Sequence, residues 1–187
     1  MKLNAPGNLN SLNQAQLQQE NLLKKLATAR RINSAADDAA GLQIANQLTS
    51  SINAKAQGER NVYDGVSLAQ VYEQGLQGIN DNLGELNRLA VAAGNGIYGA
   101  QERAALQAEA DQYTSNIQQV IDNTEFAGKK LFDQDGALSF GTGSGSLSFN
   151  TVDVAAGLSS TNVFSLDLTS AASAEASLSN IQQSIDY

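Results

Sequence analysis

The sequence predicts a mainly α-helical fold, in which long antiparallel helices form a coiled-coil-like bundle that carries a small β-hairpin. Three observations support this prediction. Apolar residues recur at helical spacing over several long stretches, and an alternating apolar–polar pattern replaces that spacing between about residues 137 and 168. Aromatic residues make up only 5% of the 187 residues. With so few large side chains, we expect helices that pack through narrow apolar stripes, and not a thick globular core.

Residues 8–31 predict the first helix. The middle of this segment, from Gln14 to Gln19, is largely polar. Because helical stability comes mostly from packing an amphipathic face, we expect the helix to stay disordered until a partner covers it. The side chains expected to meet that partner are the leucines Leu9, Leu12, Leu22, Leu23 and Leu26.

The stretch RINSAADDAAG, residues 31–41, predicts a joint between two helices. Ser34 and Asp37 have the spacing of a capping box, with Asp in place of the usual Glu. Asp37 and Asp38 would then lie in the first turn of the next helix, where the helix dipole favours anions. An acid/base or metal site at these two carboxylates is the alternative, but a structural joint accounts for every polar residue of the stretch.

A long apolar heptad pattern follows from Leu42 to Ala93 and predicts the second helix, most firmly from Val62 onward. Glycines at 65, 75, 78 and 84 each cost about 1 kcal/mol relative to Ala in a helix, and their number predicts close approach of neighbouring helices. The triplet GNG at 94–96 ends this helix. Residues 101–123 predict a third helix, which folds back antiparallel to the second as an αα-hairpin.

The remaining residues predict short strands and one more helix. Between about 137 and 168, the segments LSF, LSFNTVDV and VFSLDLT alternate apolar and polar residues, as strands of a hairpin or small sheet do. Residues 171–185 return to helical spacing. Asp133 and Asp135 resemble the start of a calcium loop, but the closing Glu is missing, so we predict a turn before Gly136.

The composition excludes several functional classes. The chain contains neither Cys nor His, which removes thiolate or imidazole zinc sites and the Ser-His-Asp and Cys-His nucleophile systems. A net charge of −8 argues against nucleic-acid binding, and no apolar run approaches the ~18 residues of a membrane helix. Glu102 and Glu109 could serve an enzyme, but solvated helix charges are the simpler interpretation. We therefore predict a non-enzyme without catalytic residues, cofactor, metal site or membrane insertion.

Several motifs, in order along the chain, resemble those of bacterial flagellin. They are RINSAADDAAGLQIANQLTS (31–50), NVYDGVSLAQ, ELNRLAVAAGNG, RAALQAEA and NTEFAGKKLFD. The resemblance covers about residues 1–132 and resumes at 169–181. It implies an N-terminal helical arm at 1–41, which includes the spoke, the segment that joins the arm to the core. A helical core follows at 42–187, with a β-hairpin at about 137–168. Flagellins continue beyond the position that matches Tyr187, so we expect a fragment or a shortened paralogue.

The resemblance also implies a function. A flagellin is a structural subunit that self-assembles into the flagellar filament for motility, outside the cell, after export without a cleavable signal peptide. The implied partners are other flagellin subunits, a flagellar export chaperone and hook-associated proteins. The assembly interface would comprise the five leucines of the first helix together with Arg31, Asn33, Asp37 and Asp38. The alternatives are a flagellin-like surface adhesion protein and a hook–filament junction protein.

A second surface is implied by the same resemblance. Flagellins that activate the innate Toll-like receptor carry Arg where this chain has Glu85, with Leu at Leu89 and Glu at Glu109. Leu89 and Glu109 match that pattern, whereas Glu85 reverses the charge. Because a charge reversal at an interface weakens encounter or leaves a desolvated charge unpaired, we predict weak or absent receptor activation.

Overall fold

The structure, a computed structural model, describes residues 5–186. Over these residues the helices are α1 (Ala5–Thr28), α2 (Ala39–Ala93), α3 (Ala100–Asn123), α4 (Val154–Ser160) and α5 (Ala171–Ile185). The strands are β1 (Glu125–Phe126), β2 (Lys129–Lys130), β3 (Gly136–Gly141) and β4 (Ser146–Thr151), and a short 3₁₀ turn spans Val163–Ser165. The prediction of long packed helices with small β-hairpins is confirmed.

The described chain divides into two compact units after Ala56, within α2. The boundary between arm and core after Gly41 stays a prediction. α2 begins at Ala39 and continues without a break past both positions. The first unit therefore contains α1, the joint and the start of α2, and the second contains all that follows.

The core of the second unit lies between α2, α3 and α5. The predicted heptad positions Leu83 and Leu86 are at most 3% exposed, and Leu89 beside them is completely buried. They form one apolar cluster with residues of the other elements, namely Ala110, Ile117, Ile121, Phe132, Leu158, Val163, Leu168, Ala174 and Ile181. Helices α2 and α3 run antiparallel, as predicted. Arg88 of α2 meets Glu109 of α3, whereas Gly78, earlier in α2, lies near Val120, later in α3.

The larger hairpin is shorter than the predicted range of about 137–168. β3 and β4 pair antiparallel from Gly136 opposite Thr151 to Gly141 opposite Ser146. The prediction is wrong for the residues after Thr151, which turn into α4. That helix begins there because the carboxylate of Asp153 accepts a hydrogen bond from the backbone N–H of Ala156 at 2.8 Å.

The segment VFSLDLT does not form the predicted strand either. Its apolar side chains Val163, Leu166 and Leu168 are buried, which explains the alternating pattern. A side chain of α3 replaces the missing neighbouring strand: Gln107 donates to the carbonyl of Leu166 at 3.1 Å and accepts from the N–H of Leu168 at 2.6 Å. Two backbone groups of this segment are thus satisfied without a sheet.

Several glycines of α2 make room for the hairpin region and the segment before it, and fewer make room for a neighbouring helix. A Cβ at Gly65 would lie 3.3 Å from the ring of Phe140 on β3. Gly58 similarly lies against the backbone of Thr142, in the turn between β3 and β4. Of the four glycines that led to the prediction, Gly78 faces a helix, α3, and a Cβ at Gly84 would meet nothing within 4 Å. The predicted helix–helix approach therefore holds at Gly78, whereas Gly65 makes room for β3 and Gly75 for the ring of Phe132.

Candidate assembly surface

The leucines of α1 are exposed along the helix. Leu9, Leu12, Leu22, Leu23 and Leu26 have exposed fractions between 59% and 76%. At about 100° per residue they fall on one broad face of the helix. Leu17 is 60% exposed as well but points away from that face. An exposed apolar row of this length on a helix is typical of a surface that contacts another protein.

A second apolar row, not among the surfaces predicted from the sequence, lies at the start of α2. Ile44, Leu48 and Ile52 are each more than half exposed. Their spacing of four residues places them on successive turns of the same helix face. That spacing was visible in the sequence, but it was interpreted as the weak beginning of the buried heptad pattern.

The joint between α1 and α2 is organised around the carboxylate of Asp37. Its Oδ2 accepts hydrogen bonds from the N–H of Asn33 at 3.2 Å, and from the N–H and the hydroxyl of Ser34 at 3.1 Å each. Lys25 places its Nζ 3.2 Å from the other oxygen. The Asn33 hydrogen bond, together with Lys25 and Ser34, lowers the pKa of Asp37 to about 2. The joint therefore depends on an ionised Asp37.

The N-terminal cap of α2 differs from the prediction. Asp38 caps the helix, because its Oδ1 accepts from the N–H of Gly41 at 2.8 Å and its carbonyl accepts from the N–H of Leu42 at 3.0 Å. Ser34 instead forms a turn with Asp37, whose N–H donates to the carbonyl of Ser34 at 3.0 Å. The capping-box spacing is thus real, but it stabilises the turn that precedes the helix.

The preceding end of the joint is held by side chains of α1. Ala29 adopts a left-handed conformation, with φ of 52°, and ends the helix. The hydroxyl of Thr28 lies 2.9 Å from Oδ1 of Asn33, and the amide of Asn33 donates to the carbonyl of Arg30 at 3.3 Å. Arg31 is exposed between these contacts. The structure therefore brings Asn33 and Asp37 together and leaves Arg31 at the surface.

The carboxylates considered for catalysis or metal binding have structural partners. Glu109 lies 3.4 Å from a guanidinium nitrogen of Arg88, and Glu102 lies in the first turn of α3, where the helix dipole favours it. Asp135 accepts from the N–H of Asp153 at 2.9 Å, across the base of the β3–β4 hairpin. Residues 5–186 contain no cluster of three side chains that could ligate a metal. None of the described helices combines the length and apolarity needed to cross a membrane.

The receptor-like surface on α2 and α3 contains an ion-pair network. Arg88 donates from Nε to Glu85 at 2.7 Å and reaches Glu109 at 3.4 Å. Glu85 is the main cause that raises the pKa of Arg88. Leu89 does not belong to this surface, because it is completely buried in the core of the second unit. Its inclusion in the expected surface is corrected, and only Glu85 and Glu109 remain.

The second unit also leaves part of its apolar seam open. A groove of about 410 Å³ lies between α2, the end of β4, α4 and α5. Leu76, Val152 and Ile185 line it and are each about two fifths exposed. Leu76 belongs to the predicted heptad seam. The core therefore buries that seam from Ile79 onward and leaves the position before it, Leu76, partly exposed.

Comparisons with known proteins agree with this architecture. The family model for the bacterial flagellin N-terminal helical region matches residues 2–137. The Phase 1 flagellin of Salmonella naestved and the flagellin of Salmonella budapest are each 37% identical over 145 residues, which cover 78% of this chain and 29% of the relative. The chain thus spans about three tenths of the length of these relatives.

A solved structure gives the same result for the fold. The crystal structure of Bacillus cereus flagellin superposes with a TM-score of 0.60 and 24% identity, over 68% of this chain and 75% of that one. Flagellins are structural proteins without enzymatic activity. On the strength of the family match and of the identity over most of its length, the chain belongs to the bacterial flagellin family.

Proposed function

We propose that this chain is a structural subunit of a bacterial flagellar filament, which polymerises with other flagellin subunits outside the cell and serves motility. Family membership supports polymerisation in general. The observation that carries the specific proposal is the row of exposed leucines on α1, from Leu9 to Leu26. Complete burial of one leucine side chain stabilises a contact by roughly 1.5–3 kcal/mol, so several together can drive assembly once a neighbouring subunit covers them.

In this proposal the joint sets the direction in which α1 leaves α2. Asp37 and Asp38 fix the turn and the start of α2 through backbone hydrogen bonds, and Asn33 ties the turn to the end of α1. Arg31 is exposed beside them and is available to a carboxylate of a neighbouring subunit. These residues therefore act mainly by presenting the leucine row at a constant angle.

The remaining parts of the proposal concern export and further partners. A filament subunit must reach the outside of the cell, and membership of the flagellin family is consistent with that location. As the resemblance to flagellins implies, we propose export without a cleavable signal peptide. A flagellar export chaperone and hook-associated proteins are further proposed partners, since an exposed leucine row needs cover before assembly.

The proposal is tested by polymerisation of the purified chain. Sedimentation and negative-stain electron microscopy should show filaments, and the double variant Leu22→Asp/Leu26→Asp should abolish them. The matched control is Gln14→Asp/Asn21→Asp, which adds the same charge to the opposite, polar face of α1 and should still polymerise. Filaments from the leucine variant, or none from the unmodified chain, would contradict the proposal.

The adhesion alternative makes a different prediction in the same experiment. It requires a chain that remains monomeric and binds a ligand through the hairpin, where Leu147 is 48% exposed among serines. A hook–filament junction protein would instead join the end of an existing filament without forming a long one. Electron microscopy with the chain added to preformed flagellin filaments separates these outcomes from extended growth.

A further inference from the structure

The turn between α2 and α3 contains the pair Asn95–Gly96, which is the only Asn–Gly pair in the sequence. Both residues are exposed, and neighbouring Ile97 is 81% exposed. We propose that Asn95 is a modification site, at which the folded chain deamidates spontaneously through a cyclic succinimide. The reactants are the Asn95 side chain, the backbone N–H of Gly96 and water.

The conformation of the turn brings the reacting groups together. Oδ1 of Asn95 accepts a hydrogen bond from the N–H of Ile97 at 3.2 Å, as in an Asx turn. This contact folds the side chain forward along the chain, towards the peptide of Gly96, which lies between the two bonded residues. The same hydrogen bond polarises the side-chain carbonyl and makes its carbon a better electrophile.

The attacking nitrogen is also unobstructed. Gly96 is exposed and a Cβ built on it would meet no atom within 4 Å, so the surroundings of this peptide are open to water and a buffer base. Within residues 5–186, that N–H has no hydrogen-bond acceptor that would have to be released before attack. Both conditions lower the barrier to ring closure, because neither a contact nor packed atoms must be displaced.

The chemistry is balanced by water alone. The Gly96 nitrogen loses its proton to base and forms a bond to Cγ of Asn95, and the Asn95 Nδ2 leaves as ammonia. Water then opens the resulting succinimide at either carbonyl, which gives aspartate or isoaspartate at position 95. No oxidant, reductant or enzyme is needed, and the product carries one additional negative charge.

Asn33, an exposed asparagine before Ser34, is by contrast held in an unreactive arrangement. Its side-chain amide donates backwards to the carbonyl of Arg30 at 3.3 Å, and its Oδ1 lies 2.9 Å from the hydroxyl of Thr28. The nitrogen that would attack, the N–H of Ser34, donates to Asp37 at 3.1 Å. The folded joint therefore protects Asn33, whereas the folded turn favours reaction at Asn95.

The modification changes the connection between the two core helices. The carbonyl of Asn95 accepts from the N–H of Tyr98 at 3.3 Å and from Arg103 at 3.1 Å, and Arg103 also binds the carbonyl of Ala93 at 2.8 Å. A new carboxylate adds charge at the negative end of the α2 dipole, beside Arg103. Isoaspartate also inserts a methylene into the main chain of a turn that these bonds hold closed.

The test is peptide mapping by mass spectrometry after the folded chain is incubated in warm, mildly alkaline buffer made with ¹⁸O water. We expect one ¹⁸O atom, loss of the amide and a mixture of aspartate and isoaspartate at residue 95, with Asn33 unchanged. The same chain in denaturant provides the reference, in which Asn33 should begin to react because its hydrogen bonds are lost. Equal reaction of both residues in the folded chain would overturn the proposal.

Two variants separate local chemistry from a general loss of folding. Gly96→Ala fits the open space of the turn and should slow the reaction at Asn95 at least about tenfold, equivalent to about 1.4 kcal/mol in the barrier. Asn95→Gln cannot close the five-membered ring and should remain unmodified. An unchanged rate in Gly96→Ala, or an intact Asn95 in the folded wild type, would contradict the assignment.

Discussion

Gly75 of α2 lies directly against the ring of Phe132: a Cβ at position 75 would be only 2.6 Å from Cε2 of that ring and 3.1 Å from the methyl group of Thr124. Phe132 is completely buried and tilts against Tyr72 at 4.9 Å between ring centroids. The glycine therefore keeps open the space in which the segment before β3 anchors on the long helix.

Gly75→Ala should destabilise the second unit by about 1–3 kcal/mol, because the buried Phe132 ring must move to admit a methyl group. The matched control is Gly84→Ala, where a Cβ meets nothing within 4 Å and the helix should gain up to about 1 kcal/mol. Denaturant unfolding measures both. Equal stability changes in the two variants would show that the close approach at Gly75 is not present.

Leu83→Ala should cost about 2–5 kcal/mol of unfolding free energy, because Leu83 is only 3% exposed and its removal leaves a cavity in the core. Leu76→Ala is the comparison on the same helix seam. Leu76 is 38% exposed at the edge of the open groove, so its removal should cost about 1 kcal/mol. A melting temperature that is unchanged by Leu83→Ala would place this residue outside a packed seam.

The joint should lose its organising contacts in acid. Since hydrogen bonds from Asn33 and Ser34 and the charge of Lys25 hold the pKa of Asp37 at about 2, below its usual 3.8, the folded joint favours the ionised form. Its contribution is complete above about pH 3.8 and is lost as the pH falls towards about 2. Chemical-shift titration of Asp37 measures the pKa directly, and a midpoint near 3.8 would contradict the described geometry.

Asp37→Asn provides the control for this titration. An amide cannot pair with Lys25 as a carboxylate does, so the variant should exchange the backbone N–H of Ser34 faster at neutral pH. Its exchange rate should also lack the acid transition of the wild type. Helix content in α2 should be retained, because Asp38 still caps that helix.

We expect the purified chain to activate the flagellin-sensing Toll-like receptor weakly or not at all in a reporter assay. By the motif resemblance, Glu85 would stand where activating flagellins carry Arg. In the structure it pairs with Arg88, which also approaches Glu109. Glu85→Arg should raise the signal while changing stability by less than about 1 kcal/mol, since the ion pairs are exposed. Strong activation by the wild type would refute this prediction, and an unchanged signal from the variant would remove Glu85 as the cause.

The long helices could be predicted from sequence because their apolar residues repeat over many turns. Leu83, Leu86 and Ile117 are buried as that repetition requires. The segment from Val163 to Leu168 could not be predicted in the same way. Its alternation reflects burial, but its backbone is bound by the distant side chain of Gln107, and a local pattern contains no information about such a partner.

The candidate surface shows the same limit. The α1 leucines were recognisable because a largely polar helix carries few other apolar residues. Leu89 was assigned to a surface by a matching motif, although a leucine three residues after Leu86 lies on the same side of the helix and can be buried with it. The cap at Asp38 was missed because Ser34 and Asp37 have the spacing of a cap, and the sequence does not reveal which of two adjacent carboxylates begins the helix.

The central claim, that the leucine row of α1 contacts a neighbouring flagellin subunit, is tested most directly by photocrosslinking in polymerised material. A photoreactive amino acid in place of Leu23 should cross-link chains that carry two different tags, whereas the same group in place of Asn21, on the polar face, should not. Cross-links confined to single chains, or equal intermolecular yields at the two positions, would contradict the claim.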